Sequence, residues 1–138
     1  MFLTATSFNG MEDITRTNCL AFALGQVDPS ENSVYSEYCL DTHDCDGARL
    51  SIGTSFKWKC SCFGLDVKEV ASLEETEGKT AFLVFGWYPR GDFHIVRKNP
   101  DGRLEHKPDW FLPAKVTTLE ELYEEYPEGY LVYVLEEN

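Results

Sequence analysis

The chain has 138 residues, 24 acidic against 12 basic side chains, and a formal net charge of −12 at pH 7. That length suits one domain, residues 1–138, with a real core, and the plentiful aromatics (9 Phe, 7 Tyr, 3 Trp) belong to a folding chain rather than a disordered one. The charge excludes the basic face that nucleic acid or an anionic membrane needs, and leaves a soluble acidic protein or, less simply, a DNA-mimicking inhibitor.

The first residues lack a basic region followed by an apolar run, and no apolar segment approaches spanning length. A cytoplasmic protein is expected. Its five cysteines are then reduced, which favours a nucleophile, a metal site or core packing over disulfides.

In chain order, Met11 to Thr17 reads as an approach loop, with Thr17 or Asn18 able to cap the next segment. Cys19-Leu20-Ala21-Phe22-Ala23-Leu24 predicts a short buried helix with Cys19 in its first turn and Gly25 as its stop. Residues 26–62 show no clear period. Leu65, Val67, Val70 and Leu73 loosely fit a helix face. Ala81 to Tyr88 is continuously apolar, aromatic and β-branched, the pattern of a central strand. Thr118 starts a helix through Tyr126 with its acidic residues early, where the helix dipole favours them. Gly129 to Leu135 alternates as a last strand. Strands in a run with segregated helices indicate an α+β fold.

Between Phe93 and His106 lies a predicted hairpin. Asn99-Pro100-Asp101-Gly102 is a type I turn signature, and Gly102 suits the left-handed position of a three-residue loop with a bulge. That loop sets Asn99 opposite Arg103 and Val96 opposite His106. Alternate residues share a face, so His94 and His106 become diagonal neighbours on one side of the hairpin. A two- or four-residue loop would separate them.

Two imidazoles so placed suggest chemistry with a thiol. A helix N-terminus and a neighbouring imidazolium both favour thiolate. Cys19 is expected as nucleophile, His94 as general base and His106 as the group that orients it. The backbone N–H of Cys19 and the side chain of Asn18 are candidate oxyanion donors. Asp92 is an alternative orienter of His94. The bland readings stand beside these: Cys19 as a small buried hydrophobe, His94 as a satisfied core residue, His106 as a solvated one.

Two strings carry a family resemblance: Asn18-Cys19-Leu20-Ala21-Phe22-Ala23-Leu24-Gly25, and Gly91 to Trp110 with its two histidines twelve residues apart. Together, about 28 of the 138 residues, they resemble papain-like cysteine hydrolases of the NlpC/P60 type. Peptidoglycan members of that family usually carry Asp-Cys-Ser-Gly where this chain has Asn18-Cys19-Leu20-Ala21. The resemblance implies a papain-like fold, an N-terminal Cys-bearing helix on a small antiparallel sheet. It also implies thiol-dependent hydrolysis or transfer at an amide, of a peptide or a glutamine side chain, through a thioester. No cofactor is required for that reaction.

A second cluster, Cys39, His43, Cys45, Cys60 and Cys62, is expected to hold a structural zinc through four thiolates or three and an imidazole, to form a disulfide, or to stay unliganded. The glutamates after Thr118 are expected to form a solvated face, or an acidic surface for a partner protein. The reading from another class is a non-enzymatic acidic interaction protein, for example a phage-encoded inhibitor.

Overall fold

A computed structural model of the chain describes residues 19–25, 40–86, 93–108 and 114–136. Its elements are α1 (Cys19–Ala23), α2 (Ile52–Cys62), β1 (Val67–Val70), a 3-10 turn (Leu73–Thr76), β2 (Ala81–Gly86), β3 (Phe93–Lys98), β4 (Leu104–His106), β5 (Lys115–Thr117), α3 (Leu119–Glu125) and β6 (Leu131–Leu135). All six strands join one antiparallel sheet in the order β1-β6-β2-β3-β4-β5. The fold is α+β, helices against an antiparallel sheet.

The two faces of this sheet are covered by different elements, and alternation along the strands decides which side chain meets which cover. Phe82, Val84, Ile95 and Tyr133 point to one face, where they pack with Leu20, Ala23 and Leu24 of the α1 segment and with Phe56 and Cys60 of α2. Leu83, Phe85, Val96 and Leu104 point to the other, against Leu122 of α3, with Leu119 and Tyr126 alongside. Every residue from Ala81 to Phe85 is therefore buried, which explains the continuous apolar run in β2.

The β3–β4 hairpin has the expected register. Arg97 pairs with Glu105 and Lys98 with Leu104. The Asn99 N–H donates to the Arg103 carbonyl at 2.9 Å, and Gly102, at φ 93°, donates to the Asn99 carbonyl at 2.9 Å. A positive φ at this point is what glycine supplies without a Cβ clash.

The short helix α1 is tied to β3 by one side chain. Arg97, fully buried, donates from Nη1 to the Phe22 carbonyl at 2.8 Å and to that of Ala23 at 3.4 Å. Its guanidinium lies 4.6 Å over the Phe22 ring and reaches Glu105 Oε2 at 3.4 Å through Nη2. The Phe22 carbonyl also accepts from the Gly25 N–H at 3.1 Å, and a cation at a helix C-terminus, where intrahelical donors run out, complements the dipole.

Two readings are corrected here. Leu65 to Leu73 is no helix face: Val67 and Val70 belong to edge strand β1, pairing Leu135 and Val132 of β6, and Leu73 opens the 3-10 turn. Residues 52–62, without a clear period, form helix α2, capped by the Ser51 hydroxyl accepting from the Thr54 N–H at 3.1 Å.

Candidate functional site

The hairpin brings its two histidines together. His94 Nε2 and His106 Nδ1 are 2.7 Å apart, and one ring's N–H donates to the bare nitrogen of the other. The rings meet edge-on, at 75° with centroids 4.9 Å apart. His94 is packed on its remaining sides. Phe85, its partner across β2, lies 6.5 Å away, and Tyr126 stacks on it at 5.5 Å and 3°.

Lys115 is the register partner of His106 across β5, so both project to the α3 side of the sheet, as Thr117 does with Leu104. Glu121, in the first turn of α3, accepts from the Thr117 hydroxyl at 3.2 Å. With Leu122 and Tyr126 these groups line a cleft of about 340 Å³. His106 is 7% exposed, and its Nε2 is buried without a hydrogen-bond partner. An orphaned buried nitrogen is costly, on the order of 1–3 kcal/mol, unless something in the cleft satisfies it.

Burial sets the charge state of the pair. His94 is pushed down to about 3, by loss of water first and then by the neighbouring His106. His106 is pushed down to about 4, again chiefly by burial and further by Lys115, while the Glu121 carboxylate pulls the other way. Both rings are neutral near pH 7, so each offers one donor and one acceptor nitrogen.

Cys19 opens α1. Its helix packs against the face carrying Ile95 and Arg97, whereas His94, one residue along from Ile95, projects to the face carrying Val96 and Tyr126. The nitrogen of His94 that makes a ring-to-ring bond is given to His106. Of the expected Cys19-His94-His106 triad, the two imidazoles are brought into contact on the α3 side of the sheet, and Cys19 lies half-buried at the start of α1. The nitrogen of the pair that is buried without a partner is Nε2 of His106. Asn18 and Asp92, the oxyanion and orienting candidates, lie outside the described residues.

Among the described residues the proposed thiolate set for zinc is not gathered at one point. Cys60 is buried in the core beneath α2, its thiol pushed up to about 12 by burial, while Cys62 is exposed. Two positions apart on a helix means about 200° of rotation, so the two sulfurs face opposite ways. Cys45 is exposed, His43 Nδ1 is 2.8 Å from the Thr42 hydroxyl, and Cys39 lies outside the described residues. Among the described residues no three His, Cys, Asp or Glu side chains are grouped to hold a metal ion.

Sequence reasoning does not single out Lys115, Thr117, Glu121 or Tyr126. Thr117 and Glu121 straddle the cap of α3, where Thr118 and a Glu three residues on carry an ordinary capping signal and no sign of a cleft. No protein-family model matches the chain, and no curated protein matches it. No helix among the described residues is long and apolar enough to cross a membrane.

Proposed function

We propose that this protein is a hydrolase or transferase acting at an amide, with His94 and His106 as its proton-transfer pair. The observation that carries the reading is the 2.7 Å bond between the rings, which leaves His106 Nε2 buried, unpartnered and beside a cleft. The papain-like likeness of the Cys19 and His94–His106 strings supports the reaction class and, beyond an α+β architecture, the fold relationship.

For His106 Nε2 to act as a base, Nδ1 must carry the ring proton and donate it to His94 Nε2. His94 then holds its own proton on Nδ1 and fixes the tautomer of its partner. His106 Nε2 takes a proton from water as the water oxygen adds to the amide carbonyl carbon. The C–N bond breaks, and the same proton leaves on the departing nitrogen, so that amide and water give acid and amine. An amine in place of water makes the reaction a transfer. Glu121 offsets the positive charge that appears on His106 during the exchange. The packing of α1 on the sheet face opposite the pair favours water or an acceptor amine over Cys19 as the nucleophile in this reading.

The test is amine release from carboxamide and peptide substrates by the full chain, its Cys19→Ala form and its His106→Ala form. Activity is expected to survive in Cys19→Ala and to fall by about 100-fold or more in His106→Ala, the usual range for a lost general base. Loss in Cys19→Ala would return the reaction to a thiol nucleophile. The non-enzymatic reading, an acidic interaction protein, has the exposed Glu120, Glu121 and Glu124 of α3 in its favour, and no turnover by any form would select it.

A further inference from the structure

We propose that the cleft beside His106 recognises a neutral primary carboxamide, such as the end of a glutamine side chain, in preference to a carboxylate or an ammonium group. This inference rests on the reading of the His94–His106 pair as an amide-directed centre, and it selects among the amides that reading allows.

Three features of the cleft converge on a small neutral dipole. The orphaned Nε2 of His106 needs one hydrogen bond, and the ring is neutral, so an ionic partner is not demanded. Around that ring stand charges of both signs. Lys115 acts on it from β5 and Glu121 from α3, in opposite electrostatic senses. The Glu121 carboxylate is held by the Thr117 hydroxyl at 3.2 Å, and Thr117 is itself buried. A carboxamide answers this arrangement at both ends. Its oxygen accepts from a cation, and its NH₂ donates to a carboxylate. A carboxylate ligand would gain Lys115 but face Glu121 and Glu125, which also lines the cleft. An ammonium ligand would gain the carboxylates but face Lys115. Size agrees, since about 340 Å³ is at the small end for ligand sites.

The probes are acetamide, acetate and ethylammonium, titrated separately into full-length protein carrying ¹⁵N-labelled histidine, with the His106 imidazole resonances as the readout. Acetamide is expected to shift them saturably, and acetate and ethylammonium to do so at concentrations at least about ten-fold higher, the cost of meeting a like charge without its counterpart. Lys115→Met is expected to weaken acetamide about ten-fold, and Glu121→Gln to weaken it while strengthening acetate. Both side chains are exposed, so neither variant threatens the fold. Acetate or ethylammonium binding as tightly as acetamide, or no shift with acetamide, overturns the proposal. If acetamide fails to bind while peptide amides are still cleaved in a His106-dependent way, the amide-directed reading survives and the carboxamide preference alone is lost. Saturable acetamide binding without turnover of any amide supports the preference and removes the catalytic reading.

Discussion

Tyr126 lies flat on His94, with ring planes 3° apart and centroids 5.5 Å apart. The tyrosine is the residue that closes α3, and its N–H donates to the Leu122 carbonyl at 2.7 Å. The last turn of an acidic surface helix thus becomes the lid over a buried imidazole. Tyr126→Ala should cost about 2 kcal/mol, below the usual range for a fully buried ring because Tyr126 is half-buried. It should also admit water to His94 and raise its pKa from about 3 toward the ordinary histidine value. Urea unfolding reports the first effect and imidazole titration by NMR the second. Tyr126→Phe, which keeps the stack, should leave both nearly unchanged.

Neutral buried imidazoles make stability depend on pH. In the unfolded chain both rings titrate near pH 6.5, while in the folded chain they stay neutral until about 3 and about 4. Below the unfolded value the unfolded chain binds more protons, so this pair's contribution to stability falls as pH drops from about 6.5 and levels off below the folded values. Near pH 5 unfolding should take up about two protons through the pair. The urea midpoint is therefore expected to decline between pH 7 and pH 5, and to decline less in a His94→Asn, His106→Asn double variant.

Arg97 anchors α1 and neutralises buried Glu105 at the same time. Arg97→Ala removes the Nη1 bonds to the Phe22 and Ala23 carbonyls and takes from the buried Glu105 carboxylate its buried cation, leaving the partly exposed Arg103 at 3.5 Å. A loss of about 3–5 kcal/mol is expected from breaking one side of a buried pair. Chemical denaturation measures it. Glu105→Gln added to Arg97→Ala should recover part of the loss, since a buried charge that has lost its buried partner is then gone.

Gly53 sits in the first turn of α2, where the backbone approaches β6. A Cβ at this position would collide with the Tyr133 hydroxyl and press on Leu131 Cδ1. That hydroxyl is held by Glu69 at 3.0 Å and is not a loose end. Alanine normally favours a helix over glycine by about 1 kcal/mol. Here Gly53→Ala should instead destabilise by about 1–3 kcal/mol, the usual cost of overpacking. Thermal unfolding of Gly53→Ala with and without Tyr133→Phe checks the cause, because removing the hydroxyl should restore much of the loss.

The parts of this fold legible in the sequence are those set by local rules. The turn at Asn99–Gly102 dictates the hairpin register, and the register alone brings His94 to His106. The run at Ala81–Phe85 announces a strand covered on both sides. Thr118 and Gly25 mark helix ends as capping chemistry requires. The illegible parts are decided by tertiary contact. Helix α2 buries a narrow stripe, Phe56 and Cys60, with Gly53 and Ser55 filling close approaches, so its pattern is faint. Val67 and Val70, three apart, suit one face of a helix or two faces of a strand, and pairing with β6 selects the strand. Strand β5 has three residues and exists through its pairing with β4. The face on which α1 lies is likewise absent from local sequence. It depends on Arg97, one residue out of step with His94's side of the strand, reaching the carbonyls of Phe22 and Ala23.

That face separation can be measured directly. The rate of Cys19 alkylation by a small haloacetamide, tracked by mass spectrometry across pH 5 to 9, reports whether an imidazole governs the thiol. With the pair working apart from Cys19, the rate–pH curve of Cys19 should be the same in the parent protein, in His94→Asn and in His106→Asn. Fast alkylation at acidic pH that disappears in His94→Asn would contradict the account, because it would mean that this thiol and that imidazole meet.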